Sequence, residues 1–424
     1  MKLWKEKRLV EIADIKGGKR LPTGSSFDNS VTEFPYLRVT DMVNGTIRTN
    51  NLVYVSREVQ EKIKNYKITK NDIYVTIAGT IGNFGTIPDR LHNSQLTENA
   101  AKITNFDNLK FDKKYLVEYL NSDFVQRQIK REIGTGGGVP KLALHRIEKL
   151  IIKYPQRAEQ TRIAEILSTA DEAIEQTEKL IAKYQRIKTG LMQDLLTRGI
   201  DERGNIRSKA THKFVVKNGI EVPEEWEVKQ IIQTTYLKAR IGWQGLKASE
   251  FIKDGPYLVT GTDFFDGEID WDKCYHVSEE RFKEAKYIQL SNGDLVITKD
   301  GTIGKTAMIK NCPEKAVLNS GVFVIRCNDG SYLNEFMYYI LNSKYFFDHL
   351  FQTQGGSTIN HLYQGEFEKF YFPCPKKYEQ EKIVSLLNQI NENIKKEMNQ
   401  LSKLNSIKTG LMQDLLSGRV RVKI

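Results

Sequence analysis

The chain has 424 residues, 40% of them hydrophobic and 28% charged, with a formal net charge of +11 and four cysteines. That length exceeds one compact core and implies two or three domains of ordinary globular composition. No apolar run reaches the roughly 18 residues of a membrane span, and the start MKLWKEKRLVEIADIKGG lacks a signal peptide's apolar core, so a cytosolic protein with no membrane contact is expected. Cys274, Cys312, Cys327 and Cys374 show no CxxC spacing, which argues against a disulfide framework and a zinc site. The positive balance points to an acidic partner such as nucleic acid. It is uneven: +9 over residues 1–154 (26 basic, 17 acidic), 0 over 155–200 (7 and 7), −3 over 201–374 (21 and 24) and +5 over 375–424 (10 and 5).

In chain order, strand-like runs come first (YLRVTDM, DIYVTIAG), with turn signals at Asn44-Gly45 and Gly136-Gly137-Gly138 and a helical stretch at Phe111–Arg131. A long helix follows Pro155 and stops at Gly199, and a polar connector, Thr197–Pro223, ends in VPEEW. Strand-like DLVITKDG and GVFVIRC come next, with Asp-Gly turns at 266–267 and 300–301, a helical stretch at Leu333–Phe351, and a second long helix between Pro375 and Gly418.

This order is one unit written twice. IKTGLMQDLL stands at Ile187–Leu196 and again at Ile407–Leu416, and Pro155–Ile200 aligns without a gap to Pro375–Val420. Upstream, Asp72–Ile87 falls on Asp294–Ile309, and Trp4 on Trp226. The helical parts are nearly alike, whereas 1–154 and 222–374 share scattered anchors: a common frame with two unlike attachments. Alternating steps of four and three land on Ile163, Leu167, Ala170, Ile174, Ile181, Tyr184, Leu191 and Leu195 in the first helix, with Thr177 and Lys188 interrupting. In the second they land on Ile383, Leu387, Ile390, Ile394, Leu401, Leu404, Leu411 and Leu415, with Glu397 and Lys408 interrupting. A 3.5-residue repeat held this long predicts a coiled-coil seam. A pseudo-two-fold axis within one chain sets the equivalent helices antiparallel; the alternative is a homodimeric coiled coil between chains.

Catalytic chemistry is scarce. GTIGKT at Gly301–Thr306 resembles a phosphate loop, but that motif requires glycine at 299, where Lys299 stands, and the other copy, GTIGNF, has no lysine. A glycine-rich strand-to-strand turn suits both copies, and such a turn can bring backbone N–H groups near a DNA phosphate. HExxH, GxSxG, the dinucleotide glycine fingerprint and the base-holding motif of amino-methyltransferases are all absent from the sequence.

The paired IKTGLMQDLL helix ends, Glu159-Gln160 and Glu379-Gln380 at the helix starts, VPEEWEV opening the second half and GGSTIN at Gly355–Asn360 together resemble the specificity subunits of Type I restriction–modification enzymes. The likeness spans the whole chain; it departs in the reduced proline run before each Glu-Gln and in GTGGGVPKL against QTQGGSTINHL. It implies an α+β fold with two globular α/β target-recognition domains in pseudo-two-fold arrangement, separated by two long antiparallel coiled-coil helices. The implied boundaries are 1–154 and 222–374 for the recognition domains, 155–200 and 375–424 for the constant helical regions, and 201–221 for a linker. It implies a non-catalytic, cytoplasmic, bacterial or archaeal subunit, each variable domain reading one half of a bipartite, asymmetric site on double-stranded DNA. The helices would set the spacer and dock two methyltransferase subunits. No cofactor is expected in this chain: S-adenosylmethionine belongs to the methyltransferase subunits, ATP and Mg to restriction subunits where present.

Candidate DNA contacts are polar and basic side chains on loops that pair up between the copies. In the first domain these are Lys16, Lys19, Arg20, Arg38, Thr40, Asp41, Thr80, Asn83, Gln95, Thr135 and Lys141. In the second they are Lys238, Arg240, Trp243, Gln244, Thr262, Asp263, Lys299, Thr302, Lys305, Gln354, Ser357, Thr358, Asn360 and His361. Arginine suits guanine O6/N7, Gln and Asn suit adenine N6/N7, and Lys suits phosphates. Asp41 and Asp263 serve equally as turn formers. Against the second domain's acidic balance, Lys286, Lys299, Lys305, Lys310 and Lys315 offer a local basic patch. The rival readings are a self-contained DNA methyltransferase and a coiled-coil adaptor that never touches DNA.

Overall fold

The computed structural model describes residues 4–43, 45–133, 140–241, 245–353 and 361–423. The chain divides into two compact units, Met1–Lys179 with Met398–Ile424, and Leu180–Glu397. The long helices are Arg157–Thr197 and Lys377–Leu416, and each gives one end to each unit.

Both units follow one plan. In the first, a four-stranded antiparallel sheet runs in the order Asp14–Gly17, Ala100–Thr104, Ile73–Thr76, Phe84–Thr86. A second sheet runs Val53–Tyr54, Pro35–Leu37, Ser94–Leu96, Lys67–Ile68, with its middle pair parallel. In the second unit the first of these recurs as Thr235–Lys238, Val322–Cys327, Leu295–Thr298, Thr306–Met308. The other recurs as Tyr275–His276, Ile252–Val259, Ala316–Leu318, again with one parallel pair. The strand leading into each long helix pairs with the strand that opens its unit's globular part, Ile151–Tyr154 with Lys5–Arg8 and Tyr371–Cys374 with Glu227–Gln230. The stretches expected to be helical each hold two helices: Lys113–Asn121 and Asp123–Glu132, then Asn334–Leu341 and Lys344–Thr353. The breaks fall at Ser122 and Ser343, whose hydroxyls donate to the carbonyls of Tyr119 and Ile340, three residues back.

The seam positions face inward. Ile163, Leu167, Ile181, Leu195, Ile383, Leu387, Ile390 and Leu415 are buried; Ala170, Ile174, Tyr184, Leu191, Ile394, Leu401, Leu404 and Leu411 are half-buried. In the first unit Ile163, Ala164 and Leu167 share a core with Leu415 and Leu416; in the second, Leu195 and Leu196 share one with Ile383, Val384 and Leu387. The helix ends run antiparallel in each unit. In the first, Asp171 meets Lys408 and Glu159 meets Arg421, so one chain rises as the other falls. In the second, the chain just past Leu195 and Leu196 meets Glu379, ahead of Ile383 and Leu387.

The repeated Glu-Gln pair is the joint between helix and globular part. Gln160 accepts from Asp112 N (2.9 Å) and donates to the carbonyls of Lys110 and Pro155 (3.0 Å each). Gln380 does the same with Leu333 N (2.9 Å), Ser331 (2.9 Å) and Pro375 (2.8 Å). The glutamates hold the chain that follows the other helix: Glu159 accepts two bonds of 2.6 Å from Arg421, and Glu379 accepts from Arg207, Ile200 N and Trp226 Nε1. Gly199 is required there twice over. Its φ is +62°, and a Cβ would stand 2.2 Å from both Glu379 and Trp226. The stretch read as a connector holds a hairpin, Phe214–Lys217 with Ile220–Pro223, around Asn218-Gly219, both at positive φ.

Candidate nucleic-acid interface

The glycine-rich stretches form the expected strand-to-strand turns, built the same way in both units. Thr76 and Thr298 close them from inside: each buried hydroxyl accepts from the turn's far end, Asn83 N or Lys305 N at 3.0 Å, and donates to the carbonyl of Thr80 or Thr302. Gly79, Gly82, Gly301 and Gly304 all have φ between +70° and +82°, which side chains of other residues resist. A second segment lies along each turn. Leu142 N donates to Ile77 O and Leu362 N to Lys299 O, both at 2.8 Å, with bridges Ala78–Lys141 and Asp300–His361.

The framework is therefore shared and its decoration is not. In the first unit the turn presents exposed Thr80 beside exposed Lys141, with Asn83 held by its amide to Met42 O (3.3 Å). In the second it presents exposed Thr302 and Lys305 together with half-buried Lys299 and His361; the His361 ring pairs with the Asp300 carboxylate, and the Lys299 ammonium lies 5.2 Å from the Phe323 ring centre.

A second group gathers in the first unit. A cleft of about 460 Å³ is lined by Arg20, Arg38 and Thr40 together with Phe27, Tyr36, Val39, Thr97, Glu98 and Asn99. Arg20 pairs with Glu98 (3.1 Å), and Tyr36 donates to Lys19 O (2.8 Å), placing Lys19 at its border. The Lys19 ammonium stands 5.5 Å from the Tyr66 ring centre. Arg38 is committed to structure on one side, with two bonds to Asp41 (3.0 and 3.1 Å) and one to Asn51 O (2.7 Å). Burial costs the Glu98 carboxyl something, but hydrogen bonds and Arg20 outweigh it and hold its pKa below the ordinary range. Glu98 is thus an ionised acceptor among donors. Sequence reading passed over Thr97, Glu98 and Asn99; the available signal was that this polar segment follows the SQL strand as Asn319-Ser320-Gly321 follows AVL. Lys16, Lys238 and Thr262 are exposed outside these groups, Lys16 near Asp14 (3.4 Å).

Four candidates are buried: Asp41, Gln95 and Asp263 are corrected by it, and Arg240 is enclosed in the free chain. Asp41 (5% exposed) and Asp263 (2%) are the turn formers of the alternative reading: Asp41 accepts from Arg38 N (2.9 Å) and Asp263 from Thr260 N (2.7 Å). Gln95 (1%) lies in a central strand with its amide inside, and Arg240 (2%) is enclosed, so neither offers an edge to a base in this state. Thr135, Trp243, Gln244, Gln354, Ser357, Thr358 and Asn360 lie outside the described residues. The basic patch expected in the second domain is partly neutralised: Lys310 pairs with Glu268 and Lys315 with Glu279.

Residues 1–185 and 223–406 match the family model described as the Type I restriction modification DNA specificity domain. The MjaVIII specificity subunit of Methanocaldococcus jannaschii, a type I restriction enzyme subunit, is 26% identical over 309 residues, covering 72% of this chain and 69% of that one. The EcoBI specificity subunit of Escherichia coli is 22% identical over 426 residues, covering 98% and 86%. The crystal structure of the Type I restriction–modification S subunit from M. genitalium superposes with a TM-score of 0.57 at 15% identity, over 99% of this chain and 96% of that one, a likeness of fold. With both halves of a duplicated sequence matched and the same architecture found in a solved relative, the chain belongs to the family of Type I restriction–modification specificity subunits.

Proposed function

We propose that this chain is the DNA-recognition subunit of a Type I restriction–modification system, a non-catalytic, cytoplasmic protein that reads a bipartite, asymmetric sequence on double-stranded DNA. The observation that carries the reading is the turn built twice on one framework with different tips, Thr80 and Lys141 in one unit and Thr302, Lys305 and His361 in the other. Two unlike readers imply two unlike half-sites. Residues 1–154 and 222–374 act as the recognition domains, 201–221 as the linker, and 155–200 and 375–424 as helical regions that set the spacer and dock two methyltransferase subunits. The contacts are Lys16, Lys19, Arg20, Arg38, Thr40, Thr80, Asn83 and Lys141 in the first domain, with Glu98 added as an acceptor for cytosine N4. In the second they are Lys238, Thr262, Lys299, Thr302, Lys305 and His361. S-adenosylmethionine would be brought by the methyltransferase subunits, and ATP with Mg by restriction subunits.

Single-molecule methylome sequencing of cells expressing the chain with methyltransferase subunits of its system tests this. A two-part motif with a fixed, unread gap is expected; a symmetric motif, or no methylation, overturns it. Because the second domain's net charge is negative, the chain alone binds DNA weakly and only the complex binds tightly. A nanomolar, sequence-specific complex of the purified chain alone contradicts that expectation.

A further inference from the structure

Arg240 follows the strand Thr235–Lys238 and is 2% exposed, yet only one part of its guanidinium is satisfied. Nε donates to Leu318 O (3.1 Å), while both Nη nitrogens are enclosed without a hydrogen-bond partner among the described residues. A guanidinium left this way is costly, because desolvation is not returned as hydrogen bonds. The nearby carboxylates do not help: Glu250 and Glu284 are engaged by Arg281, at 2.6 and 3.0 Å. Burial accordingly lowers the Arg240 pKa from its ordinary value.

The repeat shows that the fold does not need an arginine here. Lys16 pairs with Lys102 as Lys238 pairs with Val324, so Gly18 in the first unit occupies the place of Arg240. Gly18 packs so closely that a Cβ would lie 2.1 Å from Thr97 O. The second unit holds a long cation at this spot, with its two Nη groups unpaired among the described residues. The position is close to a surface: the next residue, Ile241, is 46% exposed. Leu318, which accepts from Arg240, leads directly into Asn319-Ser320-Gly321, and Gly321 O accepts from Lys299 N (2.9 Å) at the edge of the duplicated turn.

We propose that Arg240 is a DNA-reading side chain stored inside the second unit in the free chain and released onto a guanine when the target binds. Guanine O6 and N7 supply the two acceptors that the two Nη groups lack, so the bound state gains what the free state forgoes. The exchange needs no group beyond the DNA, because a ligand shifts a conformational equilibrium by its differential affinity for the two states. The proposal rests on the DNA-recognition reading above.

Arg240→Met in the full chain tests it, since methionine fills the same buried path without a charge. The free chain should melt about 2 °C or more above the parent. In the complex with methyltransferase subunits, methylome sequencing should show one guanine of the motif become degenerate, with target affinity down about tenfold or more. Arg240→Lys keeps the charge but loses the fork, and should relax the same guanine without raising the melting temperature. A lower melting temperature for Arg240→Met, or failure to fold, makes Arg240 a structural residue and overturns the proposal. A more stable variant with an unchanged motif overturns it while leaving the DNA reading intact. A parent complex that methylates no specific motif removes the DNA reading, and the proposal with it.

Discussion

Thr76 and Thr298 show how much can rest on one hydroxyl. Each is buried, accepts one backbone N–H and donates to the carbonyl of Thr80 or Thr302 (Thr298 also reaching Lys305 O at 3.5 Å), so valine of nearly equal shape removes the side-chain partner of both backbone groups. Thr298→Val should cost about 1–3 kcal/mol in urea unfolding, with Thr76→Val similar, and should blur the turn's tip before it affects the helices. The seam lysines are less alike than their sequence suggests. Lys408 pairs with Asp171 and lies 3.8 Å from Glu118, whereas the counterparts of those acids in the second unit are Asn391 and Tyr339, which bond each other (2.8 Å). Burial first, and then Asp171, push the Glu118 carboxyl above its ordinary 4.5, with Lys408 opposing. The folded state therefore binds the extra proton, and this site's contribution to stability falls as pH rises from 4.5 through the raised value. Lys408→Met removes the opposing charge and widens that window. Thermal melts should show the variant about 1–2 kcal/mol less stable than the parent at about pH 7 and nearly equal to it below about pH 4.5; a deficit independent of pH would refute the assignment.

Among the elements, the joints between helix and globular part are the points of greatest leverage. Arg207 and Glu379 are both almost fully enclosed, and the same carboxylate holds Ile200 N and Trp226 Nε1. Arg207→Met leaves that carboxylate buried without its cation and should cost about 3–5 kcal/mol by denaturant unfolding. Arg421→Met should cost less, because its side chain is 32% exposed and water can replace it. The helices themselves carry the spacer proposal. One heptad inserted into both keeps the 3.5-residue seam in register and adds about 10 Å, about three base pairs. The methylated motif should gain a matching number of unread positions; an unchanged gap would mean that the helices are not the ruler.

At the scale of the whole molecule, the duplicated plan was legible because repetition is written in letters: the paired decapeptides, the seam at steps of four and three, and Glu-Gln at both helix starts need no coordinates. The glycine turns were legible too, since glycine accepts the left-handed backbone they require at the least steric cost. The hairpin at Asn218-Gly219 was equally visible as Asn-Gly between apolar runs, but the polar stretch around it masked the signal. What only the tertiary structure decided is which polar side chains face outward. Asp41, Gln95, Arg240 and Asp263 have the residue types of a DNA contact, yet strand direction and the packing of neighbouring segments turn them inside. Glu98 has the wrong charge for a phosphate contact, yet it lines the same cleft as Arg20 and Arg38. The period of a helix or a repeated turn is a local property, and local chemistry declares it. Exposure depends on what distant segments bring alongside, which no window of sequence contains.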